Sequence, residues 1–335
     1  MSKKITILGA GSWGLAIAKL LEQNGATVTL WEYSHTDFEK LLEFRTHPDK
    51  LPGIKLSESI TFTDDINHAL IDCEMLVLAV PSQYVRSVLE KAPVKMFKKV
   101  PVINLAKGIE NHSLKRMSEV IVELTGIDAE LVTTLSGPSH AEEVAREMAT
   151  AVVIAGTNPQ ILKEIQETFS SQYFRVYQAT DLIGVELGGS LKNIIAIAAG
   201  ITAGLNMGDN TMGALITRGL AEISRLGTTL GADPITFAGL SGIGDLITTC
   251  MSRHSRNRYV GEHIGMGEKL EDIIAGMKMV AEGVATTKSG FALMSEHNVE
   301  MPITAEVYEI LFNNKPADVA LWELMGRKLK SEIWQ

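Results

Sequence analysis

Three glycines near the start of the chain have the types and spacing of a phosphate-binding turn. They lie in GAGSWG, residues 9–14, which fits the pattern G-x-G-x-x-G. A β-branched run at residues 5–8 precedes this segment, residues 15–21 follow with helical spacing, and residues 26–31 form a second β-branched run. The order strand, turn, helix, strand predicts a βαβ unit that binds a dinucleotide, rather than a glycine-rich turn without function.

Each of these glycines has a separate expected role. Gly9 permits the tight turn after the strand, and Gly11 lets backbone amides approach a diphosphate at the positive end of the helix. Gly14 allows the helix and the strand to pack closely. We therefore predict that Gly9, Gly11 and Gly14 form the cofactor-binding turn.

Glu32 follows the second predicted strand, 18 residues after Gly14. An acidic side chain at this point can accept hydrogen bonds from the adenosine ribose, whereas its charge would repel a 2′-phosphate. Residues 33–37 contain no Arg or Lys that would offset this charge. We therefore expect NAD to be favoured over NADP, the alternative being that Glu32 is a solvent-exposed residue at the end of a strand.

Two loop residues follow further predicted strands. Pro81 comes after the apolar run at residues 75–80, and Lys107 comes after the run at residues 100–105. Ligands of open α/β sheets bind outside the carboxyl ends of the strands, so both residues would face the cofactor crevice. On position alone, Lys107 is equally well interpreted as an ordinary surface lysine.

The turn SGPS at residues 136–139 lies between another predicted strand and an acidic helix start. Ser139 is predicted to be the N-cap of that helix, where exposed amides suit an anion or a cofactor amide group. His140 has no partner visible in the sequence. We interpret it as a histidine of the capping loop rather than as a catalytic residue.

A long helix is predicted at residues 181–205, with one apolar face and with Lys192 and Asn193 on another face. Gly188 and Gly189 lie one turn before Lys192, and a helical side chain leans over the turn on its N-terminal side. The two glycines would leave a hollow beneath the lysine. Because Gly costs about 1 kcal/mol against Ala inside a helix, the pair predicts the close approach of a ligand or of another helix.

Two segments of the C-terminal half carry further charged candidates. Asp245 opens an apolar helix, where an Asp is usually a cap. Residues 253–258, RHSRNR, contain three arginines in an otherwise acidic chain. A solvated basic loop is one interpretation of this segment and an oxyanion pocket is the other, since Arg can bind a phosphate group bidentately.

The order of the predicted elements defines the fold class: an α/β Rossmann-type N-terminal domain with a predominantly parallel sheet, residues 1–179, followed by an all-α C-terminal domain, residues 180–335. Strand and helix patterns alternate up to residue 179, and Gly-, Ala- and Leu-rich helices follow. Further strands are predicted at 60–63, 131–135, 151–155 and 173–177, and helices at 38–44, 84–89, 159–169, 211–230 and 305–334.

Composition limits the classes of function. The chain has 335 residues and a formal net charge of −9, which disfavours nonspecific binding to nucleic acid or to an anionic membrane. No apolar run approaches the roughly 18 residues of a membrane span, and the first residues lack a signal peptide, so we expect a cytoplasmic protein without membrane insertion. The two cysteines, Cys73 and Cys250, lack the spacing of a metal site, and we expect no metal.

Seven sequence blocks resemble the NAD(P)-dependent glycerol-3-phosphate dehydrogenases, especially the bacterial biosynthetic type. They occur in the same order and span both halves of the chain: GAGSWG at 9–14, NLAKGIE at 104–110, SGPSHAEE at 136–143, ELGGSLKNIIAIAAG at 186–200, GLSGIGDLITTC at 239–250, SRN at 255–257 and VAEGVATT at 280–287. The resemblance implies interconversion of dihydroxyacetone phosphate and sn-glycerol 3-phosphate, an oxidoreductase activity that feeds glycerophospholipid and phospholipid biosynthesis.

The resemblance also implies roles for individual residues. Lys192 is the implied proton donor and acceptor, with Lys107 and Asp245 beside it in the reaction. The implied substrate contacts are Lys107, Gly137, Ser139, Lys192, Asn193, Asp245, Thr249, Ser255, Arg256 and Asn257. The implied cofactor contacts are Ser12, Trp13, Tyr33, Lys107, Ala141, Arg256, Val280 and Glu282. They add to the residues already predicted for the cofactor site from the sequence pattern, which are Gly9, Gly11, Gly14, Glu32 and Pro81. Tyr33 departs from relatives that prefer NADP, which often carry Arg or His near this position.

The chemistry of the reaction agrees with these roles. Hydride delivery to the C2 carbonyl leaves negative charge on oxygen, which a positioned ammonium can stabilise and protonate. In the reverse direction a neutral amine must accept the proton, so Lys107 and desolvation would have to lower the pKa of Lys192 from its ordinary value near 10.4. Asp245 opposes that shift and would orient Lys192 or the substrate hydroxyl. Arg256 and Asn257 would hold the phosphate.

Two alternatives to this interpretation stay open at the level of the sequence. The first is a related two-domain dehydrogenase of the 3-hydroxyacid or 6-phosphogluconate type, which also places a Lys near an Asn on a long helix. The second is a regulatory protein that senses NAD without turning it over, although the sequence has no basic DNA-binding motif. The apolar helical half favours a homodimer.

Overall fold

A computed structural model describes residues 2–93, 99–329 and 331–332 of the chain. Within these residues the N-terminal half forms one sheet with the strand order β3-β2-β1-β4-β5-β6-β7-β8. The neighbouring strands run parallel apart from β6 and β7, which are antiparallel. The strands are β1 (Lys4–Leu8), β2 (Thr27–Trp31), β3 (Thr61–Thr63), β4 (Met75–Leu78), β5 (Val102–Asn104), β6 (Val132–Ser136), β7 (Thr150–Ala155) and β8 (Phe174–Ala179).

Helices cover both faces of this sheet, which explains why its central strands read as continuous apolar runs. Ile5 and Ile7 of β1 lie in one core, and Leu8 lies in a second core on the opposite face, because side chains alternate along a strand. The helices are α1 (Ser12–Gln23), α2 (His35–Phe44), α3 (Ile66–Ala69), α4 (Val85–Leu89), α5 (Met117–Thr125), α6 (Ala141–Ala145) and α7 (Pro159–Phe169). The predicted Rossmann-type, predominantly parallel sheet is confirmed.

The C-terminal half is helical, as predicted, and is built around one central helix. Its helices are α8 (Leu182–Gly204), α9 (Asp209–Thr229), α10 (Asp245–Met251), α11 (Arg256–Gly265), α12 (Leu270–Gly276), α13 (Glu282–Glu296), α14 (Pro302–Asn313) and α15 (Ala317–Met325). The prediction of a single apolar face on α8 is wrong, because this helix is buried on all sides from Gly184 to Thr202. By length and apolarity α8 could cross a membrane, but 89% of its most apolar window is buried within the protein, as in a core helix.

Four glycines bring the backbones of α8 and α11 into direct contact. A Cβ atom on Gly200 would lie 2.0 Å from the Arg258 carbonyl oxygen, and one on Gly204 would lie 2.2 Å from the Glu262 carbonyl oxygen. On the facing helix, a Cβ on Gly261 would lie 1.9 Å from the Ile197 oxygen, and one on Gly265 would lie 2.5 Å from the Ile201 oxygen. Since real Cβ atoms do not approach an oxygen so closely, this glycine seam requires glycine on both helices.

Several element boundaries differ from the sequence-based predictions. Helices α3, α5, α11, α12 and α13 were not predicted from the sequence. The final helices predicted within residues 305–334 are α14 and α15, which are separated because Asn314 adopts a left-handed conformation and Pro316 follows it. Residues 330, 333 and 334 of that prediction lie outside the described residues.

Glu222, on α9, is a buried carboxylate at the start of α14. It accepts hydrogen bonds from the backbone N–H groups of Ile303, at 2.6 Å, and Thr304, at 3.1 Å, and from the Thr304 hydroxyl. Burial raises the pKa of Glu222 from 4.5 to about 7, although these donors lower it. The folded protein therefore holds this proton more tightly than the unfolded chain does, and the resulting stabilisation is lost as the pH rises through about 7.

We predict that Glu222→Gln removes this pH dependence. Between pH 4.5 and pH 8, the free energy of unfolding of the variant should rise relative to the unmodified protein by up to about 3 kcal/mol. Urea denaturation at the two pH values measures the difference. Because Gln has one acceptor fewer, the free energy of unfolding of the variant can also differ from that of the unmodified protein by an amount that does not depend on pH. The prediction would be contradicted if the difference between the two proteins were the same at both pH values.

Candidate active site

A cavity of about 770 Å³ lies between the carboxyl ends of the central strands and the helical half. Its wall includes the turns that follow β1, β2, β4 and β5, together with residues of α8, α10 and α11. In open parallel sheets, ligands bind at this edge because the loops that follow the strands converge there. We therefore expect the predicted site residues to line this cavity.

The glycine turn after β1 fits the diphosphate of a dinucleotide. Gly9 has a φ of +111°, which glycine adopts readily, and a Cβ on Gly14 would lie 1.9 Å from the Gly9 carbonyl oxygen. A Cβ on Gly11 would have no neighbour within 4 Å, so the turn is open towards the cavity at this point. The helix α1 begins at Ser12 and directs its unpaired N–H groups to the same place.

Two lysines share one buried carboxylate deeper in the cavity. Lys192 Nζ lies 2.8 Å from Asp245 Oδ1 and 2.5 Å from Thr249 Oγ1. Lys107 Nζ lies 2.6 Å from Asp245 Oδ2 and donates to the Gly137 carbonyl at 3.0 Å. The ordinary interpretation of Asp245 as a helix cap does not apply, because its carboxylate binds both ammonium groups and α10 has no side-chain cap hydrogen bond.

The electrostatics of this cluster favour an amine that can exchange a proton. Burial lowers the pKa of Lys192 to about 8, and Lys107 adds to this effect, whereas Asp245 raises the pKa. Burial acts to raise the pKa of Asp245, but Lys107 and Lys192 hold it below its ordinary value. Asp245 therefore stays ionised while Lys192 titrates close to neutral pH.

A chain of amide hydrogen bonds connects the loop that carries Lys107 to the helical half. Asn193 Nδ2 donates to the Lys107 carbonyl at 3.3 Å, and Asn257 Nδ2 donates to Asn193 Oδ1 at 2.9 Å. Asn257 Oδ1 in turn accepts the N–H of Gly283 at 2.9 Å, at the start of α13. These bonds fix the backbone of the Lys107 loop relative to α8, α11 and α13.

Glu282 forms a second link between the two halves of the chain. Its Oε1 atom accepts the backbone N–H of Ser82 at 2.7 Å, in the turn that follows β4. Ser82 is buried, and Pro81 and Glu282 both line the cavity. The walls of the cavity are thus tied together at the predicted Pro81 turn.

The paired glycines of α8 do not leave a hollow beneath Lys192. A Cβ on Gly189 would lie 2.6 Å from the Ser136 hydroxyl, and one on Gly188 would lie 2.7 Å from the Ser241 carbonyl oxygen. The expected hollow is filled by β6 and by the loop before α10. The close approach was predicted correctly, but the approaching groups belong to the protein itself.

Most of the predicted site residues meet in this one cavity. The predicted residues that line it are Gly9, Gly11, Ser12, Trp13, Glu32, Tyr33, Pro81, Lys107, Ser139, Ala141, Lys192, Asn193, Asp245, Thr249, Ser255, Arg256, Asn257, Val280 and Glu282. Gly14 and Gly137 lie behind the wall, because Gly14 packs on Gly9 and the Gly137 carbonyl holds Lys107. Ser139 is not the predicted helix cap: its hydroxyl donates to the Gly137 carbonyl, and His140 occupies the cap position.

The segment at residues 253–258 contains residues of both kinds that the sequence left open, some that line the cavity and some that do not. Arg256 lines the cavity at the start of α11, whereas Arg258 pairs with Glu262 at 3.2 Å on the same helix. Ser255 is the N-cap of α11, since its hydroxyl accepts the Arg258 N–H at 3.1 Å. The cavity therefore receives one arginine of this segment and the N-terminus of a ten-residue helix.

Several residues of the cavity wall were not predicted to belong to the site. His140 and His254 both line the cavity, with ring centroids 5.9 Å apart, and burial followed by the charge of Lys192 lowers the pKa of His140. Lys50 and Lys91 lie near Glu32 and Tyr33, although they are distant from them in sequence. No local pattern identifies these residues, because the fold alone brings their loops together.

A Rossmann-type sheet and a helical domain that enclose a glycine turn and a buried, titratable lysine in one cavity define a two-domain dehydrogenase of the nicotinamide-dependent class. Comparisons with known proteins assign the family. Residues 4–162 match the family model of the NAD-dependent glycerol-3-phosphate dehydrogenase N-terminus, and residues 181–321 match the model of its C-terminus. The chain belongs to the NAD(P)-dependent glycerol-3-phosphate dehydrogenases, which confirms the resemblance found in the sequence.

Individual relatives match over almost the whole chain. It is 51% identical over 331 residues to glycerol-3-phosphate dehydrogenase [NAD(P)+] of Prosthecochloris aestuarii, covering 98% of this chain and 99% of that protein. It is 50% identical over 330 residues to the protein of the same name from Thermoanaerobacter, with coverage of 98% and 99%. The crystal structure of glycerol-3-phosphate dehydrogenase from Coxiella burnetii superimposes with a TM-score of 0.93 at 36% identity, covering 97% and 99%.

Proposed function

We propose that this chain interconverts dihydroxyacetone phosphate and sn-glycerol 3-phosphate, using NAD(H) or NADP(H), with Lys192 as the general acid and base. The observation that carries the proposal is the buried cluster of Lys192, Asp245 and Lys107 in the cavity that also contains the glycine turn. The bound nicotinamide supplies or accepts the hydride at C2 of the substrate. The protein must hold the two molecules and move the proton.

Lys192 is suited to both directions of this reaction. Its ammonium form can donate a proton to the C2 oxygen during reduction, and its neutral form can accept the proton of the C2 hydroxyl during oxidation. The pKa of about 8, which burial and Lys107 produce, makes both forms accessible near neutral pH. An unperturbed lysine would hold its proton too firmly to serve as a base.

The neighbours of Lys192 act as positioning groups. Asp245 and Thr249 both contact its Nζ atom, which restricts the direction in which the proton is presented. Lys107 provides a second positive charge for the oxyanion that develops at C2, and the amide of Asn193 holds the Lys107 backbone. This arrangement keeps the charges in place before the substrate enters, so little reorganisation is needed during the reaction.

The phosphate of the substrate is assigned to the entrance of α11. Arg256 can bind two phosphate oxygens, and the positive end of the helix adds to the attraction. Asn257, Ser255 and Ser139 line the same cavity, and the carbonyl of Gly137 binds Lys107 behind its wall. Holding the phosphate there would orient C2 towards Lys192, an effect that can be worth several kcal/mol.

The cofactor is assigned to the opposite part of the cavity. The diphosphate would bind at Gly9, Gly11, Ser12 and Trp13, with the adenosine ribose at Glu32 and Tyr33. Pro81, Ala141, Val280 and Glu282 would form the wall between the two substrates. Gly14 contributes by allowing the close packing of α1 on β1 rather than by direct contact.

The wider role follows from the same assignment. We place the boundary between the cofactor domain and the substrate domain between residues 179 and 180. We infer that the protein is a cytoplasmic homodimer that does not insert into membranes. We further infer that it supplies glycerol 3-phosphate for glycerophospholipid synthesis. The net charge of −9 supports a small-molecule substrate rather than a nucleic acid partner. The dimer rests on the apolar helical half, and size-exclusion chromatography with light scattering would test it.

The decisive experiment for the activity is simple. Purified protein mixed with NADH, and separately with NADPH, should consume the coenzyme when dihydroxyacetone phosphate is added, as measured by absorbance at 340 nm. 3-Hydroxybutyrate or 6-phosphogluconate with the oxidised coenzyme should give no comparable rate. A protein that binds the coenzyme but turns over none of these substrates would instead support the regulatory alternative and contradict the proposal.

A further inference from the structure

The end of the cavity next to β2 contains cations that no local sequence pattern indicates. Glu32 and Tyr33 follow β2, and Lys50 and Lys91 reach them from the loops after α2 and α4; all four line the cavity. In Rossmann-type domains this region faces the adenosine ribose, which carries a 2′-hydroxyl in NAD and a 2′-phosphate in NADP. The charges here therefore decide which coenzyme is accepted.

Glu32 is not the isolated carboxylate that its sequence context suggests. It is only 6% exposed, its Oε1 atom accepts the backbone N–H of Ser34 at 2.9 Å, and its Oε2 atom accepts Lys50 Nζ at 2.8 Å. Lys50 thereby offsets the charge that would otherwise repel a 2′-phosphate. Since an ionised carboxylate can accept about four hydrogen bonds, Glu32 keeps acceptor sites for the ribose hydroxyls of NAD.

Lys50 is held beside the glycine turn by its own loop. Its backbone carbonyl accepts the hydroxyl of Ser12, and its backbone N–H donates to Nδ1 of the buried His47 at 3.1 Å. The preceding residue, Asp49, forms an ion pair with Lys278 of the helical half at 2.6 Å. The ammonium group therefore extends from a backbone that is fixed on both sides.

Lys91 places a second cation at the same end of the cavity. Its Nζ atom lies 4.6 Å from the centroid of the Tyr33 ring, which is itself 69% exposed. The nearby carboxylate of Asp37 also contacts Lys50, at 2.9 Å, and is paired with Lys40 at 3.0 Å.

The charges of this group add up to a small excess of positive charge. Two carboxylates, Glu32 and Asp37, face three ammonium groups, those of Lys40, Lys50 and Lys91. Lys40 shares Asp37 with Lys50 and does not line the cavity, whereas the residues Lys50, which contacts both carboxylates, and Lys91 line the ribose end of the cavity. An anionic group on the ribose would meet net attraction there.

We propose that Lys50 and Lys91 bind the 2′-phosphate of NADP, and that the ion pair between Lys50 and Glu32 is the element that lets one site accept both coenzymes. This inference rests on the dinucleotide site of the proposed function and deepens it. With NAD, Glu32 uses its free acceptor sites on the ribose hydroxyls. With NADP, the two ammonium groups contact the phosphate, and Lys50 also continues to offset the negative charge of Glu32.

The nucleotide fragments 5′-ADP and 2′,5′-ADP test this inference by direct binding, without turnover. Both should bind the unmodified protein in isothermal titration calorimetry. Lys91→Gln should weaken 2′,5′-ADP by about 10-fold, as expected for the loss of one charge-assisted contact. Lys50→Gln should weaken it by about 30-fold or more, because the variant loses a cation and also leaves Glu32 uncompensated. Both variants should bind 5′-ADP within about 3-fold of the original affinity, which also reports that the site is folded.

The double variant Glu32→Gln/Lys50→Gln isolates the role of the ion pair. Removing the carboxylate should restore at least about 5-fold of the 2′,5′-ADP affinity lost in Lys50→Gln, since no unpaired charge is left to repel the phosphate. Lys163→Gln is the matched control: it removes one exposed lysine, which pairs with Glu167 on α7 and does not line the cavity, and it should change the affinity by less than about 2-fold.

The outcomes separate this inference from the proposed function. Unchanged 2′,5′-ADP affinity in Lys50→Gln and Lys91→Gln, or no recovery in the double variant, would overturn the assignment of the ion pair while leaving the enzyme activity in place. Failure of 5′-ADP to bind the unmodified protein would contradict the dinucleotide site, and with it both proposals.

Discussion

Replacing Lys192 by alanine should lower kcat for the reduction of dihydroxyacetone phosphate by at least about 100-fold, the lower end of typical acid–base contributions. The variant lacks the group that would donate a proton to the C2 oxygen. Lys107 would still supply positive charge there, but its ammonium stays bound to Asp245 and the Gly137 carbonyl, so we do not expect it to take over the proton transfer. Stopped-flow or steady-state measurement of NADH consumption gives kcat. Fluorescence titration should show NADH affinity nearly unchanged.

A second variant distinguishes proton transfer from simple charge. Lys192→Arg keeps the positive charge, but its guanidinium does not release a proton at accessible pH, so it should be almost as slow as the alanine variant. Both variants should retain cooperative thermal unfolding, because Asp245 remains paired with Lys107. Turnover by Lys192→Ala near that of the unmodified enzyme would remove Lys192 from the proposed role.

The pH dependence of the two directions provides an independent check on Lys192. Because its pKa in the folded protein is about 8, the ammonium form predominates below that pH and the amine above it. The value of kcat/KM should therefore decline above about pH 8 for the reduction and should rise towards a plateau above about pH 8 for the oxidation. Profiles that lack opposite trends around this pH would argue that another group carries the proton.

Replacing Arg256 by alanine should raise KM for dihydroxyacetone phosphate by about 10- to 100-fold, the range expected for the loss of a bidentate charge-assisted contact. The side chain lines the cavity at the first residue of α11, where the helix terminus also attracts anions. The value of kcat should fall less, because Lys192 and its partners are untouched. Initial rates at several substrate concentrations separate the two constants.

Arg253 provides the matched control for this prediction. It belongs to the same basic segment but does not line the cavity, so Arg253→Ala should leave KM within about 2-fold. Inorganic phosphate should inhibit the unmodified enzyme in competition with the substrate and should inhibit Arg256→Ala much more weakly. An unchanged KM in Arg256→Ala would count against the phosphate site at this position.

Local patterns predicted the parts of this protein that depend on neighbouring residues. The βαβ unit could be predicted from the sequence because the turn after β1 requires glycine at position 9 and the close packing of α1 requires glycine at position 14. The parallel strands could be read because both of their faces are buried, which demands continuous apolar runs. The helix α7 was predicted with its observed bounds, since Asn158 and Pro159 mark its start clearly.

The features that depend on distant residues could not be read in this way. Asp245 has the local context of a helix cap, and only the packing of α10 against α8 brings it to Lys192. The compensation of Glu32 could not be predicted from the five residues that follow it, because its partner is Lys50 in another loop. Charge compensation across a fold leaves no periodic signal in the chain.

The glycine seam between α8 and α11 has a consequence for substrate selection. Lys192 lies on one of these helices and Arg256 at the beginning of the other, and main-chain atoms alone set how near the two helices come. The seam therefore fixes how far apart the backbones of Lys192 and Arg256 lie, whatever the size of the surrounding core side chains. If the proposed site is correct, we expect a phosphorylated ketone of different length to require a change at the seam or in the side chain at position 256.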